Sequence, residues 1–395
     1  MLQGKTVVLG VTGSIAAYKM ANVASMLIKL GAEVHVIMTE NATNFIHPIT
    51  FETLTNHKCL VDTFDRNFQF HVAHVSLAKQ ADVILVAPAS ANIIGKMANG
   101  IADDMLSTTL LAAKCPILVA PAMNTNMYEN RIVQENLSKL RQFGVKVLEP
   151  SDGRLACGDT GAGKLPKEEV LVEHILQEIA KEKDLAGKRI LVTAGATREA
   201  IDPVRYITNH STGKMGYAIA KAAMLRGAEV TLVSGPVEIE APLFVTKVPV
   251  TSAEEMFYAV TKVSDSMDAV IMAAAVADYT PAETADQKIK KSEGDMSIPL
   301  KRTKDILAYL GEHKRPGQLL CGFSMETERV LENSREKLQK KHADMIAANS
   351  LREAGAGFGC DTNHLTLITA EGETDVPLMS KQEAADVLLT ELFGR

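Results

Sequence analysis

The same succession of an apolar strand, a glycine turn, a helix and a second strand occurs twice along the chain, once at the start of each half. A βαβ unit of this kind has a right-handed crossover and parallel strands. Its recurrence therefore predicts an α/β protein of two Rossmann-like parallel-sheet domains. The first copy is TVVLGV (6–11), IAAYKMANVASMLIKL (15–30) and AEVHVIMT (32–39); the second is RILVTAG (189–195), KMGYAIAKAAMLRG (214–227) and AEVTLVSG (228–235), and both contain GAEV.

Length supports two domains, because one hydrophobic core rarely serves a chain of 395 residues. The charged segment 173–188, predicted to be a helix ending in a glycine break, suggests domains 1–185 and 186–395. Further uniformly apolar segments predict buried strands with helices on both faces of each sheet. These segments are 81–90, 116–124, 268–279 and 318–327.

Composition excludes several classes of protein. A net charge of −6 does not support a broad nucleic-acid surface, and the apolar runs are too short for a membrane span. The amino terminus has no signal-peptide pattern, so we expect a cytoplasmic protein without membrane or nucleic-acid partners. Five cysteines without CxxC spacing argue against a disulfide framework and a zinc site.

The two openings differ in the length of the connection after the first strand. Gly13 and Gly31 are 18 positions apart, whereas Gly195 and Gly227 are 32 apart. The second copy therefore carries an insertion, ATREAIDPVRYITNHST. Loops after parallel strands lie over the ligand crevice, so we expect binding residues in this insertion.

The strand ends indicate a mononucleotide rather than a dinucleotide. Neither opening has G-x-G-x-x-G with an acidic residue at the tip of the second strand, where Thr39 and Ser234 stand instead. Small hydroxyl residues and backbone amides suit a phosphate monoester such as that of FMN. A glycine pair alone is about as often a simple structural turn as part of a ligand site. Ser90, Asn92 and Asn124, which follow adjacent strands, favour the ligand site.

Long motifs in a fixed order carry a family resemblance over nearly the whole chain. The first half resembles the flavin-dependent phosphopantothenoylcysteine decarboxylases in GVTGSIAAYK (10–19), HVSL (74–77), APASANIIGKMANGIADD (87–104), APAMNTNM (120–127) and LACGDTGAGKL (155–165). The second half resembles phosphopantothenate–cysteine ligase in 193–220, 273–279, 287–291, 322–328 and 337–349. The fused order is that of the bifunctional bacterial coenzyme A enzymes. The sequence departs from the family pattern at three places. Ala196 stands where proline is common, Lys164 where arginine is frequent, and Ser324-Met325 replaces the usual pair of small residues.

For the first half, the resemblance implies a flavodoxin-like domain that binds FMN. Flavin would oxidise the substrate thiol, which makes loss of CO2 possible, and then return the electrons. His74 would assist the oxidation, with His71 as the competing choice, Asn124 and Met127 would bind the substrate, and Cys157, on a glycine-rich flap, would donate a proton. By default Cys157 would be an inert thiol and His74 a structural histidine. The implied FMN-binding residues are Gly13, Ser14, Thr39, Ser90, Ala91, Asn92, Ile93 and Ala122.

For the second half, the resemblance implies that 4'-phosphopantothenate is joined to L-cysteine with CTP through an acyl-cytidylate, before decarboxylation to 4'-phosphopantetheine. Arg205 and Asn209 would act on the phosphopantothenate side, with Asn209 at the acyl-cytidylate, and Lys288 would stabilise charge at the α-phosphate. Asp278 would anchor Mg2+. Lys290 and Lys340 are more simply solvated surface. The implied CTP-binding residues are Ala273, Ala274, Asp278, Lys288, Lys304, Asp305, Ile306, Phe323, Lys337 and Lys341.

Two other functions fit parts of the pattern. A flavin electron carrier or redox sensor would need neither the CTP half nor the cysteine flap. A flavoprotein decarboxylase or prenyl transferase for another substrate would make the second half a passive nucleotide sensor, against which Lys288 and Asn209 argue. The resemblance further implies a dodecamer built from trimers of the flavin half and dimers of the ligase half.

Overall fold

The computed structural model describes residues 1–64, 73–154, 158, 160–291, 295–326, 329–350, 357 and 359–394. The chain divides into two compact units, Met1–Lys181 and Glu182–Arg395. The division falls close to the boundary that the charged segment suggests. Each unit is a layered α/β structure around its own sheet, so the predicted fold class is confirmed.

In the first unit, five parallel strands follow the order β2-β1-β3-β4-β5, which is the flavodoxin-like order. The strands of this unit are β1 (Thr6–Val11), β2 (Glu33–Met38), β3 (Val83–Ala89), β4 (Ile117–Pro121), β5 (Lys146–Val147), β6 (Ser151–Arg154) and β7 (Thr160–Lys164). Its helices are α1 (Lys19–Lys29), α2 (Pro48–Thr55), α3 (Ala73–Gln80), α4 (Ala91–Asn99), α5 (Met105–Ala112), α6 (Thr125–Glu129), α7 (Arg131–Gln142) and α8 (Glu168–Ile179), with short 3-10 helices at Ile15–Tyr18 and Glu40–Asn44.

In the second unit, six parallel strands are extended by two antiparallel ones in the order β12-β11-β8-β13-β16-β17-β18-β19. The strands are β8 (Arg189–Ala194), β9 (Arg198–Ala200), β10 (Tyr206–Thr208), β11 (Glu229–Ser234), β12 (Val245–Pro249), β13 (Ala269–Met272), β14 (Tyr279–Pro281), β15 (Leu300–Arg302), β16 (Leu319–Glu326), β17 (Met345–Ser350), β18 (Thr362–Thr369) and β19 (Glu373–Ser380). The helices are α9 (Lys214–Leu225), α10 (Ala253–Ser264), α11 (Ile306–Glu312), α12 (Val330–Lys340) and α13 (Lys381–Phe393).

The repeated opening is also a repeat of backbone geometry. Gly31 and Gly227, which end the first helix of each copy, both have φ of 92°. Residues with a side chain rarely adopt this left-handed conformation, so glycine is the natural residue at both turns. Each turn reverses the chain from helix α1 or α9 into the neighbouring parallel strand β2 or β11.

Helices cover both faces of each sheet because its central strands are apolar throughout. All seven residues of β3 and all four of β13 are buried. Val8, Ile84 and Val119 belong to the core of the first unit, and Leu191 and Val270 to that of the second. Complete burial of one such side chain stabilises the fold by about 1.5–3 kcal/mol. The packed sheets therefore give their loops a rigid support.

Three predicted elements differ from the observed ones. The strand predicted over 268–279 ends at Met272, because the backbone beyond it turns towards the inserted segment, where Ala196 pairs with Ala275. The helix predicted within 173–188 is instead Glu168–Ile179. The inserted segment contains the antiparallel hairpin β9–β10 rather than only a loop. In the described parts of the chain, helices long and apolar enough to span a membrane are absent.

Candidate active sites

The carboxyl end of the first sheet is tied together by Thr12. Its hydroxyl donates to the carbonyl oxygen of Pro88 at 2.7 Å and accepts from the amide of Ser90 at 3.0 Å. These bonds join the end of β1 to the start of α4. A Cβ atom on Gly13 would lie 2.9 Å from Cβ of Asn41, so only glycine lets the two turns approach this closely.

Thr39 offers an unsatisfied polar atom at the same end of the sheet. Its amide donates to the carbonyl of Val11 at 3.0 Å, which places it beside the end of β1. Its Oγ1 atom is buried and has no hydrogen-bond partner among the described residues. Leaving a buried hydroxyl unpaired costs about 1–3 kcal/mol, so this position suits a polar ligand group.

A cavity of about 360 Å³ adjoins these turns. The hairpin β6–β7 closes one side of it, with the amide of Met123 donating to the carbonyl of Gly163 at 3.0 Å. A Cβ atom on Gly163 would come within 2.4 Å of the Met123 carbonyl oxygen, so glycine is required for this contact. The cavity is lined by Ser14, Ile15, Ala16, Tyr18, Lys19, Ala122, Met123, Asn124, Arg154, Gly163, Lys164 and Leu165.

The predicted flavin-binding residues occupy different parts of this edge. Ser14 and Ala122 line the cavity, and Ser90, Ala91 and Asn92 lie at the start of α4. Ile93 is different, because its side chain is 1% exposed and packs in the core. Only the backbone of Ile93 is therefore placed to contact a ligand.

The predicted catalytic residues of the first unit are not all brought together. Asn124 lines the cavity, and its Oδ1 accepts from the amide of Asn126 at 2.9 Å. His74 lies near the start of α3 and is absent from the described lining of the cavity. Met127 is 49% exposed on α6. Cys157 and the competing His71 lie outside the described residues.

The second unit has a cationic cavity of about 470 Å³ at the carboxyl end of its sheet. The cavity brings most of the predicted nucleotide contacts together. It is lined by Met272, Ala274, Val276, Ala277, Asp278, Tyr279, Arg302, Thr303, Lys304, Asp305, Ile306, Leu307, Phe323, Lys337 and Lys341. This lining combines three lysines with two aromatic rings, those of Tyr279 and Phe323, which suits an anionic nucleotide.

The lysines of this cavity are held in defined positions. Lys337 donates to the carbonyl of Phe323 at 2.7 Å, and Lys341 contacts Oδ2 of Asp305 at 2.5 Å. Lys304 lies over the rings of Phe257 and Tyr258, at 4.5 and 4.6 Å from their centroids. Burial opposes ionisation of Asp305, but its hydrogen bonds to Lys341 and to the start of α11 lower its pKa. Asp305 is thus an anion that orients Lys341.

Asp278 is the remaining carboxylate of the cationic cavity. It is exposed and lies six residues beyond the end of β13 at Met272, rather than at the tip of the strand as predicted. Because the Asp305 carboxylate is paired with Lys341, the Asp278 carboxylate is the one in this lining that is available to bind a metal ion. Mg2+ is commonly held by one or two carboxylates together with substrate phosphates and water. The donor set therefore fits an ion that arrives with a nucleotide.

An adjoining cavity of about 250 Å³ contains residues that the sequence analysis missed. Ala273 lines it, as do Asn349 and Asn363, whose Oδ1 atoms are buried without a partner among the described residues. Asn349 stands at the carboxyl end of the buried strand β17, so the rule applied to Asn124 would have found it. Asn363 lies on an antiparallel strand and carries no such signal.

The start of α9 also faces this adjoining cavity. Gly213 precedes the helix with φ of 78°, and Gly216 lies in its first turn. A Cβ atom on Gly216 would lie 2.6 Å from Cβ of Ala194, so glycine permits close packing of helix on strand. The residues at the start of this 12-residue helix line the cavity, and the start of a helix favours an anion.

Lys288 lies in a third cavity, of about 840 Å³, rather than with Lys337 and Lys341. Arg205 lines the same cavity, and Asn209 instead donates to the carbonyl of Ala275 at 3.2 Å, beside the adjoining cavity. Lys290 lines the third cavity but is exposed, and Lys340 is 73% exposed and pairs with Glu336.

The four cysteines in the described part of the chain are all free thiols: Cys59, Cys115, Cys321 and Cys360. Burial raises the pKa of the Cys59 and Cys321 thiols to about 12, so both are protonated at neutral pH. Buried, protonated thiols are inert, as expected for structural cysteines.

Comparison with known proteins gives matches along both units. Residues 1–180 match the family model described as Flavoprotein, and residues 185–394 match the one described as DNA/pantothenate metabolism flavoprotein C-terminal domain. The chain is 48% identical over 396 residues to the Coenzyme A biosynthesis bifunctional protein CoaBC of Bacillus subtilis (strain 168), covering 99% of this chain and 97% of that protein. It is 44% identical over 390 residues to the protein of the same name from Vibrio cholerae serotype O1, covering 98% of each.

A solved structure, that of the C-terminal domain of Coenzyme A biosynthesis bifunctional protein CoaBC, is 47% identical with a TM-score of 0.45. It covers 52% of this chain and 94% of that chain. Both full-length alignments run through the two units described above.

Proposed function

This chain belongs to the family of bifunctional coenzyme A biosynthesis proteins, with a flavoprotein decarboxylase domain and a ligase domain, and we propose that the two domains catalyse consecutive reactions. The ligase joins 4'-phosphopantothenate to L-cysteine at the expense of CTP. The decarboxylase converts the product to 4'-phosphopantetheine with FMN. One observation carries the proposal: Lys337 and Lys341 face the same cavity as Asp278 and Phe323.

We assign CTP to the cationic cavity and the cavity that adjoins it. Lys304, Lys337 and Lys341 oppose the negative charge of the phosphates. Phe323 and the backbone at Ala273 and Ala274 frame the cytosine.

The Oδ1 atoms of Asn349 and Asn363, buried without a partner among the described residues, suit hydrogen-bond donors such as the cytosine amino group. Asp278 would hold Mg2+ beside the phosphates. Ile306, at the start of α11, also lines the cationic cavity.

The ligase reaction proceeds in two steps. A carboxylate oxygen of phosphopantothenate attacks the α-phosphorus of CTP, and pyrophosphate leaves. The cysteine nitrogen then attacks the acyl carbon, CMP leaves with the electron pair of the C–O bond, and the amine loses a proton. Arg205 binds phosphopantothenate, Lys288 stabilises charge at the α-phosphate, and Asn209 holds the acyl-cytidylate.

The third cavity supports the roles of Arg205 and Lys288. Both residues line it, so a carboxylate substrate bound to Arg205 lies close to the segment that carries Lys288. The activation of the carboxylate therefore requires the phosphate end of CTP to reach this segment. The hydrogen bond from Asn209 to the carbonyl of Ala275, a residue of the adjoining cavity, supports a role for Asn209 between the two substrates.

The first unit fits a flavin mononucleotide. Polar groups stand at the end of the flavodoxin-like sheet: Oγ1 of Thr39, which has no partner in the described part of the chain, the turn at Gly13 and Ser14, and the start of α4 at Ser90. When bound, FMN accepts an electron pair from the substrate thiol group and later returns it.

The protein groups of the first unit act on the substrate. Asn124 lines the cavity, and we assign its side chain to the substrate carboxylate, with Met127 beside it on α6. His74 takes up a proton in the oxidative step, and Cys157 donates one to the decarboxylated product. The hairpin β6–β7, which closes one side of the cavity, excludes water from it.

The proposal is tested by incubating the purified full-length protein with phosphopantothenate, cysteine and CTP. We expect a flavin absorption spectrum and the formation of phosphopantetheine, CO2, pyrophosphate and CMP. A flavin-loaded protein that forms none of these products would exclude both reactions. CMP release that requires cysteine, without CO2 release, would exclude only the decarboxylase assignment.

We propose further that the chain assembles as a dodecamer, with trimers of the flavin domain and dimers of the ligase domain. Light scattering measures the mass directly, and a monomer would exclude this arrangement.

A further inference from the structure

We infer a transition-metal site in the first unit, formed by Glu33, His35 and His57, at the end of β2 opposite the flavin cavity. One ligand atom from each side chain lies within 4.8 Å of the other two, and the site contains no ion. Along the strand, at about 3.3 Å per residue, Thr39 lies about 13 Å from His35 and about 20 Å from Glu33. The site is therefore separate from the proposed chemistry.

The distances match those between ligands of one small ion. Oε1 of Glu33 is 3.1 Å from Nε2 of His35 and 3.7 Å from Nε2 of His57. Zinc bonds of about 2.0–2.2 Å in a tetrahedron place neighbouring ligand atoms about 3.3 Å apart. Two imidazoles and one carboxylate suit Zn2+, with water in the fourth position.

The backbone holds the two histidines together before any metal binds. His35 lies on β2 and pairs with Val8 in the sheet. Asn56 ends α2 in a left-handed conformation with φ of 58°, which turns the chain back towards β2. Leu60 then pairs with β2, donating to the carbonyl of Val36 at 3.0 Å. The imidazole rings of His35 and His57 consequently lie 4.2 Å apart.

Exposure leaves an open route for the ion. The side chain of His35 is 17% exposed, that of His57 37% and that of Glu33 55%. Cys59 lies close in sequence, but it is buried and its thiol is not part of the cluster. The ligand set is therefore two histidines and one glutamate.

The ion would link β2 to the residue that follows α2. The ion would thus join the two ends of the segment 36–56, which includes Thr39 and Asn41 at the flavin edge of the sheet. Since an ion that binds only the folded state stabilises it, Zn2+ should raise the unfolding temperature of the first unit. It should leave the ligase reaction unchanged.

Calorimetric titration of the full-length, flavin-loaded protein with ZnCl2, without nucleotide, tests the site. We expect one equivalent to bind, with an affinity at least about tenfold weaker in His57→Gln and Glu33→Gln. His47→Gln is the matched control, because His47 is exposed on the same segment but lies outside the cluster. Equal binding by all variants, or no saturable binding by the native protein, would overturn the inference.

A crystal of the native protein soaked in ZnCl2 provides a second measurement that does not depend on variants. Anomalous scattering at the zinc edge should locate an ion between Glu33, His35 and His57. Zinc found only at other positions would also overturn the inference.

Discussion

The buried carboxylate of Asp202 holds the guanidinium of Arg205, with a hydrogen bond of 2.9 Å from Nε and a second from Nη2. Asp202 also accepts from the amide of Ile289 at 3.1 Å, and Nη2 of Arg205 donates to the Ile289 carbonyl at 2.9 Å. The Arg205 guanidinium beside it holds the pKa of the Asp202 carboxyl well below its usual range. One anion thus connects Arg205 to the segment that carries Lys288.

We therefore expect Asp202→Asn to reduce ligase kcat/KM for phosphopantothenate at least about tenfold, because hydrogen bonds to a charged group are lost. Decarboxylation of supplied phosphopantothenoylcysteine should not change. Asp184→Asn is the control, since it also removes an Asp–Arg pair from the second unit, away from the three cavities. An equal ligase loss in both variants would indicate general destabilisation instead.

Lys288→Gln should lower CMP release about 100-fold or more, because a positive charge at the α-phosphate acts mainly in the transition state. Decarboxylation should remain intact. Lys340→Gln, at an exposed lysine paired with Glu336, should leave both reactions unchanged. If Lys288→Gln affects both reactions or neither, the two-site assignment is wrong.

Thr39→Val tests the flavin assignment. Because Oγ1 of Thr39 has no partner among the described residues, its removal should not destabilise the flavin-free protein. Flavin affinity should fall about tenfold, measured by fluorescence titration of the stripped protein.

Thr43→Val is the control for Thr39→Val, since the Thr43 hydroxyl donates to the carbonyl of Glu40 at 2.7 Å within its own short helix. Unchanged flavin affinity in Thr39→Val would remove Thr39 from the flavin site.

Cys157→Ser should still release CO2, while formation of the reduced aminothiol falls about 100-fold or more, because a serine hydroxyl is a far weaker acid than a thiol. Mass spectrometry of the products distinguishes the two compounds. Cys115→Ser, a thiol at the edge of the first core, should behave like the native enzyme. Normal aminothiol formation by Cys157→Ser would refute the proton-donor role.

The ion pair between Asp184 and Arg226 should make the stability of the second unit depend on pH. The Arg226 hydrogen bond lowers the pKa of Asp184. The ionised form therefore stabilises the fold above the ordinary aspartate pKa, and this contribution is lost as the pH falls through the lowered value.

Asp184→Asn should accordingly unfold at a lower temperature than the native protein at pH 7, and the difference should shrink below about pH 4. Calorimetric scans at several pH values measure it. A difference that stays constant down to acid pH would assign the effect to packing.

Much of the fold follows from local patterns. The strands at 6–11 and 189–195 and the helix at 214–227 were predicted within a few residues, because apolar periodicity and glycine breaks act over short stretches. The antiparallel strands β18 and β19 were not predicted, since their pairing depends on contacts between distant residues. The end of β13 at Met272 was missed for a similar reason: the residues beyond it are as apolar as those within.

The sequence by itself determined the two parallel-sheet units, because apolar periodicity and glycine breaks act over short stretches. The family resemblance implied most of the residues that line the cationic cavity. Only the tertiary structure decided that Lys288 shares a cavity with Arg205 through Asp202 rather than with Lys337. It alone placed Asn363 beside Asn349, and His57 beside Glu33 and His35. These groupings depend on the direction of loops and on pairing across long separations, which periodicity along the chain does not encode.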